Sequence, residues 1–367
     1  MKVTAAVTES SGQPFVVQEL ELAAPRRNEV LVRIAAAGIC HTDLIVRDQW
    51  LPVPLPAVLG HEGAGIVEEV GGSVTKVMPG DRVGLTFDSC GGCPTCRSGL
   101  PSYCHAFFEH NFAAVRPDDG STPLSRDGEP IHGRFFGQSS FATHAIAGER
   151  NVVKIGSEIG FELAAPFGCG LQTGAGAVLN SLRVPAGCSL AVFGTGTVGL
   201  AGVMAGAIAG ATTIIGVDLV PARLELAREL GATHVVDAGK HDPVAAIVKI
   251  TRDGANFALE STGSPAVLRQ AVDCTAPLGV CGVIGAPRSG TEVRLDVNTI
   301  LTGGRVVRGI VEGDSVPALF LPTLIRHWEE GRFPVERLIR HYDFDQINEA
   351  AKDAEEGRVI KPVLRMR

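Results

Sequence analysis

The chain has 367 residues, of which 45% are hydrophobic and 20% are charged. This composition is typical of a folded globular protein and excludes a disordered or fibrous chain, and the length is enough for two domains with separate cores. The net charge of -7 gives no reason to expect nucleic acid or an anionic membrane as a partner.

The expected location bears on how the nine cysteines of the chain are interpreted. Residues 1–7 lack an apolar core long enough for a signal peptide. The longest apolar runs, at 190–193 and 200–209, are interrupted by glycine and too short to span a bilayer. We therefore expect a cytoplasmic protein, in which thiols stay reduced and closely spaced cysteines indicate a metal site rather than disulfides.

The first third of the chain has the pattern of an irregular, strand-rich domain. Residues 30–36 and 64–70 have the valine and isoleucine content of strands, and turn signals follow at residues 71–72 and 79–81. Long helical periodicity is nearly absent in this part of the chain.

From about residue 172, predicted strands alternate with predicted helices. The strands are predicted at 189–193, 213–217, 232–236, 257–260 and 279–284, and the helices at 198–209, 221–230, 243–251 and 265–274. Strands alternating with helices of roughly 10 residues indicate a parallel sheet of βαβ units. Beyond about residue 312 the alternation weakens, and two amphipathic helices are predicted at 317–331 and 344–357.

A glycine-rich turn follows the predicted strand 189–193 and opens the next helix. Glycines at its first, third and sixth positions allow the backbone to approach a pyrophosphate, which the helix N-terminus attracts. Asp218 lies 19 residues after the turn, at the end of the next strand, where it can bind the adenosine ribose. Leu219 follows it in place of a basic residue, so NAD is favoured over NADP. The candidate cofactor residues are Gly194, Gly196, Thr197, Val198, Gly199 and Asp218.

Four cysteines lie within 15 residues on a segment rich in glycine and proline: Cys90, Cys93, Cys96 and Cys104. Tight loops with this spacing can place four sulfurs around one ion, as structural zinc requires. The competing interpretation is an iron–sulfur cluster. We predict structural zinc, which stabilises a lobe with little apolar core of its own.

A second candidate metal site is dispersed over Cys40, His61 with Glu62, and Cys169. Spacing alone does not join these residues, because a lone cysteine is more often a packing residue and a His–Glu pair is often a surface hydrogen bond. Together, however, two thiolates and one imidazole leave the fourth position of zinc for water or substrate. This combination predicts a catalytic site.

The sequence at residues 60–67, Gly-His-Glu-Gly-Ala-Gly-Ile-Val, resembles the signature of the zinc-dependent medium-chain alcohol dehydrogenases. The four-cysteine lobe and the glycine-rich turn follow at the family's positions, and the resemblance extends from about residue 3 to the C-terminus. Within the family, residues 40–44, 136–143 and 309–313 are similar to bacterial aryl-alcohol (benzyl-alcohol) dehydrogenases.

This resemblance implies an α/β fold with two domains. A GroES-like, β-rich catalytic domain is expected over residues 1–172 and 313–367, with the zinc lobe at 88–106. A Rossmann-type, doubly wound parallel sheet that binds NAD is expected over residues 173–312. Two zinc ions per subunit are implied.

The resemblance also implies roles for individual residues. Cys40, His61 and Cys169 would bind the catalytic zinc, with Glu62 as a transient ligand and Asp43 as the acceptor that orients His61. Thr42 would hydrogen-bond the alcohol oxygen and start the proton relay. Further positions near the cofactor are His41 and Lys361 at the pyrophosphate and Thr173 and Val198 at the nicotinamide.

Three assignments stay open at this stage. Ile45 stands where many animal liver-type enzymes have a relay histidine, so the relay ends at solvent through the nicotinamide ribose or uses His41. Arg223 either helps hold the adenosine ribose or is an ordinary surface arginine. Six residues either line the substrate channel or pack in the core: Trp50, Phe87, Phe135, Phe136, Ala286 and Val311.

The implied activity is reversible oxidation of primary aromatic or allylic alcohols to aldehydes, with hydride transfer to NAD. The alternatives are an S-(hydroxymethyl)glutathione dehydrogenase and a non-catalytic, nucleotide-binding structural relative. We expect a small alcohol or aldehyde as the only partner besides a second copy of the chain, in a tetramer or dimer built through edge strands at 293–295 and 306–310. Cys188, Cys274 and Cys281 are interpreted as packing thiols.

Overall fold

The computed structural model describes residues 1–366 and divides into two compact units. Among the described residues, the first unit contains Met1–Cys169, Val316–Arg326 and residues 335–366, and the second contains Gly170–Ser315 and His327–Pro334. The main divisions therefore lie close to the predicted domain bounds at 172/173 and 312/313, although residues 327–334 group with the second unit. Within the described chain, no helix is both long and apolar enough to cross a bilayer.

The strands and helices have the following bounds. The strands are β1 (Lys2–Thr8), β2 (Val16–Leu22), β3 (Glu29–Gly38), β4 (Ala57–Val58), β5 (Glu62–Val70), β6 (Arg82–Leu85), β7 (Leu124–Arg126), β8 (Glu129–Ile131), β9 (His144–Gly148), β10 (Val152–Lys154), β11 (Ser189–Phe193), β12 (Thr213–Asp218), β13 (His234–Asp237), β14 (Ala255–Glu260), β15 (Thr275–Val283), β16 (Val306–Gly309), β17 (Ile339–Asp343) and β18 (Lys361–Arg365). The α-helices are α1 (His41–Arg47), α2 (Pro94–Arg97), α3 (Phe107–Asn111), α4 (Phe161–Ala164), α5 (Gly170–Gly176), α6 (Thr197–Ala209), α7 (Pro221–Glu229), α8 (Pro243–Thr251), α9 (Pro265–Asp273), α10 (Val297–Gly303), α11 (Pro317–Glu329) and α12 (Ile347–Glu355). Short 3-10 or π-helical segments are Pro101–Tyr103, Phe135–Gly137, Glu149–Asn151, Ala165–Gly168, Ala177–Ser181, Glu312–Asp314, Val335–Arg337 and Phe344–Gln346.

The first unit contains two sheets around an apolar core. One sheet has the order β4-β1-β2-β7-β8, and the other has the order β10-β6-β5-β3-β18-β17, with β9 also paired to β3. The strands predicted at 30–36 and 64–70 are confirmed as β3 and β5. These two strands pair antiparallel with Gly38 opposite Glu62, so the residues that follow β3 and precede β5 lie together at one end of the sheet.

The second unit is built on a parallel sheet of order β13-β12-β11-β14-β15-β16. This is the strand order of a dinucleotide-binding Rossmann fold, in which the sheet grows outward in both directions from its first strand. The strand–helix alternation predicted from residue 189 to 284 is confirmed. Its core lies between the sheet and its flanking helices and includes Phe193, Ile215 and Ile247.

The small residues of α6 let this helix lie close to the sheet. A Cβ atom at Gly199 would stand 1.8 Å from the carbonyl oxygen of Gly194, and one at Gly206 would stand 2.9 Å from Leu190. Both distances are shorter than van der Waals contact, so larger residues would push the helix off the strand. The glycines therefore serve packing as well as the turn itself.

The prediction of an edge strand at 293–295 is wrong. Residues 291–296 contain no strand, and the segment is held by other contacts. Arg269 donates to the carbonyl of Arg294 at 2.8 Å, and Asp296 caps α10 by accepting from backbone N–H groups at its start. The strand predicted at 306–310 is confirmed as β16, which forms the edge of the parallel sheet.

Candidate metal centre and dinucleotide-binding turn

The first part of the centre is organised by Asp43 at the start of α1. Cys40 is the N-cap of this helix, and its backbone N–H donates to Asp43 Oδ2 at 2.9 Å. Asp43 Oδ1 lies 2.8 Å from His61 Nδ1 and accepts from the Gly60 N–H at 3.1 Å. The Asp43 and His61 side chains are fully buried. Asp43 thus joins the segments that carry Cys40 and His61.

The orientation of His61 leaves its second ring nitrogen facing the centre. Burial lowers the pKa of His61, but the Asp43 carboxylate and Cys40 together outweigh burial and hold that pKa well above its ordinary value. His61 Nε2 is buried and has no hydrogen-bond partner among the described protein atoms. Because buried polar atoms in proteins are nearly always bonded, this nitrogen points to a group that the protein atoms do not supply.

Four potential ligands converge beside this nitrogen: Cys40, His61, Glu62 and Cys169. One ligand atom from each lies within 4.8 Å of all the others. The contact with Cys169, assisted by Lys361 and His61, lowers the pKa of Cys40 well below its ordinary value. A donor set of two thiols and one imidazole, with an unpartnered ring nitrogen, fits zinc.

Glu62 is paired with Lys361, the residue predicted to lie at the cofactor pyrophosphate. Lys361 Nζ lies 2.9 Å from both carboxylate oxygens of Glu62 and donates to the Ile39 carbonyl at 3.1 Å. Its side chain is only 2% exposed, and although burial lowers its pKa, Glu62 and Cys40 outweigh burial and raise it. The ammonium is therefore enclosed by protein acceptors, and its predicted contact with the pyrophosphate stays a prediction.

Two phenylalanines cover the His61 ring. Phe136 stacks on it with ring centroids 4.5 Å apart at 29°, and Phe135 meets it edge-on at 5.5 Å and 88°. Both phenylalanines are buried. Phe87 is connected to this pair through Phe107, 6.0 Å away, and Phe112, which contacts both Phe107 and Phe136. The centre thus has an aromatic wall.

The four-cysteine lobe brings its sulfurs together, one atom of each of the four lying within 4.8 Å of the others. Cys90 Sγ and Cys96 Sγ are 3.9 Å apart, close to the ~3.8 Å expected for two sulfurs bound tetrahedrally at about 2.3 Å from one zinc. Thr95, whose hydroxyl lies 3.2 Å from the Cys93 sulfur, and nearby backbone N–H groups lower the pKa of Cys93 to about 5. Cys93 thus favours the thiolate, the form that binds metal, whereas burial and the neighbouring Cys93 raise the pKa of Cys96 to about 12.

The glycine-rich turn of the second unit fits a dinucleotide. Gly194 has a φ of 84° and Gly196 is the N-cap of α6. A Cβ atom at Gly196 would have no atom within 4 Å, so the turn has open space before the helix N-terminus, where a phosphate binds. Asp218 ends β12 beside this turn, as predicted.

Asp218 also binds the turn itself, which the sequence did not reveal. Its Oδ2 accepts from both the backbone N–H and the hydroxyl of Thr195, at 2.7 and 2.9 Å. Its Oδ1 accepts from the N–H groups of Leu219 and Val220 at 2.7 and 3.0 Å. Since a carboxylate has about four acceptor positions, a ribose hydroxyl would have to share or displace one of these donors.

Comparison with known proteins identifies the family. Residues 26–157 match the alcohol dehydrogenase GroES-like domain, and residues 197–326 match the zinc-binding dehydrogenase family. A geraniol dehydrogenase from Castellaniella defragrans is 46% identical over 361 residues, which cover 98% of this chain and 96% of that protein. The chain is a zinc-dependent medium-chain alcohol dehydrogenase. The predicted pairing of a GroES-like with a Rossmann-type domain is confirmed.

Further relatives of this dehydrogenase differ in the substrate that they are named for. The crystal structure of benzyl alcohol dehydrogenase from Acinetobacter calcoaceticus superposes with a TM-score of 0.97 at 48% identity, covering 100% of both chains. An alcohol dehydrogenase zinc-binding domain protein from Burkholderia ambifaria superposes with a TM-score of 0.98 at 54% identity, covering 100% of this chain and 99% of that one. An S-(hydroxymethyl)glutathione dehydrogenase from Escherichia coli is 36% identical over 371 residues, covering 100% of both.

Thr42 is the predicted first member of the proton relay of this dehydrogenase. Its hydroxyl lies 3.8 Å from the sulfur of Cys40, one of the candidate metal ligands. Ile45 is buried and has no group that carries a proton, whereas His41 is exposed. Which of the two proposed exits the proton takes stays a prediction.

The remaining predicted residues lie on the second unit or at the surface. Thr173 donates to the buried carboxylate of Glu312 at 3.3 Å, a partner that the sequence did not indicate. Val198 and Arg223 are half-buried, and Ala286 and Val311 are exposed, as is Trp50 in the first unit. Their predicted contacts with cofactor or substrate stay predictions.

Proposed function

We propose that this dehydrogenase oxidises primary aromatic or allylic alcohols to aldehydes, reversibly, with NAD as the hydride acceptor. The observation that carries the proposal is the aromatic wall of Phe135 and Phe136 on His61, within a centre that has the donor set of catalytic zinc. Aromatic rings favour edge-on and offset contacts with other planar groups, so this wall suits an unsaturated substrate better than a small aliphatic one.

The residues of the centre have separate roles in this proposal. Cys40, His61 and Cys169 would hold the zinc, which when bound polarises the substrate oxygen and lowers the pKa of the alcohol. Asp43 orients His61. Thr42 would accept the proton of the alcohol, and the buried phenylalanines would keep water from the reacting carbon.

A second zinc and NAD complete the proposed enzyme. Cys90, Cys93, Cys96 and Cys104 would hold a structural zinc, giving two per subunit. The turn at Gly194–Gly199 would receive the NAD pyrophosphate, and the Asp218 carboxylate would repel the 2′-phosphate of NADP. The exposed Leu219 beside it offers no positive charge to offset that repulsion.

The names of the relatives support the substrate class. Geraniol and benzyl alcohol, after which two of them are named, both carry the hydroxyl on a carbon next to an unsaturated one. Oxidation of such an alcohol gives a conjugated aldehyde. An apolar wall that accepts a planar, unsaturated group is the common requirement of both alcohols.

S-(hydroxymethyl)glutathione is the second candidate substrate, because a full-length relative is named for it at 36% identity. That substrate is an anionic tripeptide adduct and would need basic residues at the mouth of its pocket. The predicted pocket residues are aromatic or aliphatic, which favours the aromatic or allylic alcohols.

Assembly and location are also part of the proposal. The edge strand β16 exposes Val306 and Val307, at 49% and 39%, and an exposed apolar sheet edge favours pairing with a second copy. We therefore propose a homotetramer or dimer built through this edge. Two sites that need reduced thiols support action in the cytoplasm, where cysteines stay reduced.

The test is NAD reduction by the purified, zinc-replete enzyme with benzyl alcohol, geraniol, ethanol and S-(hydroxymethyl)glutathione, repeated with NADP. We expect the highest kcat/KM with benzyl alcohol or geraniol and with NAD. A higher kcat/KM for the glutathione adduct would replace the proposed substrate. Zinc-loaded enzyme that reduces NAD with none of the four would contradict the proposed substrate class.

A further inference from the structure

The side chain of Gln138 binds the backbone on both sides of Glu62. Its Oε1 accepts from the Gly63 N–H at 3.1 Å, and its Nε2 donates to the His61 carbonyl at 2.9 Å. The same nitrogen donates to the Thr86 carbonyl at 3.1 Å. Gln138 is fully buried, so its amide is committed to these three backbone groups.

These contacts extend the sheet past the point where its strands separate. The pairing of β5 with β6 includes Ala64 opposite Gly84 and stops there at this end of the ladder. Beyond it, the His61 carbonyl and the Gly63 N–H on one side, and the Thr86 carbonyl on the other, are bridged by the Gln138 amide. The Gln138 side chain thus supplies hydrogen bonds that the two strands no longer make to each other.

The bridge reaches the second thiol of the centre through Thr86. The Thr86 hydroxyl donates to the Gly168 carbonyl at 2.8 Å, and Gly168 directly precedes Cys169. A Cβ atom at Gly168 would stand 2.1 Å from the Leu85 carbonyl oxygen, so this segment lies tightly against the end of β6. Gln138 therefore connects the backbone of His61 with the segment that carries Cys169.

The segment that carries Gln138 is held in a constrained backbone conformation. Phe136, Gly137 and Ser139 have φ values of 50°, 65° and 53°, the left-handed region that residues with a Cβ seldom adopt. The Ser139 hydroxyl donates to the Val58 carbonyl at 2.6 Å and accepts from the Phe135 N–H at 2.9 Å. Strained backbone of this kind persists only where surrounding contacts enforce it, and it concentrates at functional sites.

We propose that Gln138 is a positioning residue of the metal centre, setting the distance between the His61 and Cys169 ligands through its amide bridge to His61, Gly63 and Thr86. This inference rests on the proposed function of Cys40, His61 and Cys169 as metal ligands. The Gln138 amide binds only backbone groups, so its effect would reach the reaction through the ligands that it holds.

The test compares Gln138→Met, which keeps the length of the side chain and removes its hydrogen bonds, with wild type and Ser140→Ala. Ser140 is the matched control, because it is buried two residues away and its hydroxyl has no partner. Zinc release to a chelator and the absorption spectrum of the Co²⁺-substituted enzyme are measured. The metal in the four-cysteine lobe serves as an internal reference for the fold.

We expect Gln138→Met to release one of its two metals about 10-fold faster, because loss of groups that hold metal ligands typically lowers metal affinity by about 10-fold or more, and to shift the Co²⁺ spectrum. The second metal should leave at the wild-type rate, and Ser140→Ala should match wild type. Wild-type release and spectrum in Gln138→Met, or an equal change in Ser140→Ala, would overturn the proposal.

A second variant covers the case in which Gln138→Met does not fold. Gln138→Glu keeps the shape and the acceptor for Gly63 but turns an acceptor toward the carbonyls of His61 and Thr86, so it should release the metal faster than wild type. Wild-type release by this variant would overturn the proposal. Equal metal content in wild type and Cys169→Ser would instead contradict the proposed function. The failure of the proposal for Gln138 and the failure of the proposed function are therefore distinguishable.

Discussion

Asp43→Asn tests how far the metal centre depends on the carboxylate behind His61. Asp43 accepts three hydrogen bonds, from Cys40 N–H, Gly60 N–H and the His61 ring. An asparagine of the same shape has one oxygen and one NH2 group, so the NH2 group must face at least one N–H donor. The perturbation removes charge and at least one bond while leaving the packing nearly unchanged.

The expected size of the effect follows from these contacts. One hydrogen bond to a charged group contributes about 1.5–3 kcal/mol. Substitution of a residue that is hydrogen-bonded to a metal-binding histidine typically lowers metal affinity or activity by about 10–100-fold. This range corresponds to about 1.4–2.7 kcal/mol. The two estimates agree, so we expect the zinc affinity of the centre to fall by about 10–100-fold and kcat to fall with it.

The assay is competitive zinc transfer to a chromogenic chelator, followed by kcat measurements on enzyme reloaded with zinc. Asp48→Asn is the matched control, since this partly exposed carboxylate lies at the end of the same helix and pairs with Arg47. Zinc affinity and kcat of Asp43→Asn equal to those of the control would refute the role assigned to Asp43.

Two further substitutions test the nucleotide turn and the core of the first unit. Asp218→Ala should raise the Kd of NAD about tenfold, the loss of one charged hydrogen bond, and improve binding of NADP relative to NAD. Titration calorimetry with both cofactors checks this. An unchanged ratio of the two affinities would show that Asp218 does not contact the adenosine ribose. Glu29→Gln should cost about 3–5 kcal/mol of the free energy of unfolding at pH 7, because it leaves the buried Arg116 without its carboxylate and Arg134 with only Asp88, 3.8 Å away. Burial raises the pKa of Glu29, but Arg116 and other donors outweigh burial and lower it. The contribution of Glu29 to the free energy of unfolding is therefore present above its unfolded pKa of 4.5 and is lost as the pH falls through the lowered folded value. The free energies of unfolding of wild type and Glu29→Gln, measured by denaturation, should therefore converge in acid. A constant difference between the two free energies at all pH values would contradict this reasoning.

Local sequence patterns predict much of the second unit. Prolines at the first turn of α7, α8 and α9 mark where these helices begin, because proline suits a first turn and disrupts a helix interior. The strand predicted at 189–193 is β11. The error at 293–295 has a different origin: residues with strand propensity form a strand only where a neighbour supplies the ladder, and propensity does not reveal the neighbour.

In the candidate site, too, contacts between residues close in sequence could be predicted, and contacts between distant residues could not. The spacing of Cys90, Cys93 and Cys96 predicts their convergence, because tight loops leave little freedom. Gln138 and His61, by contrast, are 77 residues apart, and Lys361 and Glu62 are 299 apart. Only the paired strands bring such residues together, so their bonds follow from the topology and not from any local pattern.

Catalysis by this dehydrogenase should need a metal held by Cys40, His61 and Cys169, and zinc content per chain in Cys169→Ser tests this most directly. We expect atomic emission to find about two zinc ions in wild type and about one in the variant, with turnover of benzyl alcohol abolished. Cys188→Ser, at a cysteine outside both metal clusters, should keep both ions and its activity. A Cys169→Ser enzyme that retains two zinc ions, or that oxidises benzyl alcohol at the wild-type rate with one, would contradict the account.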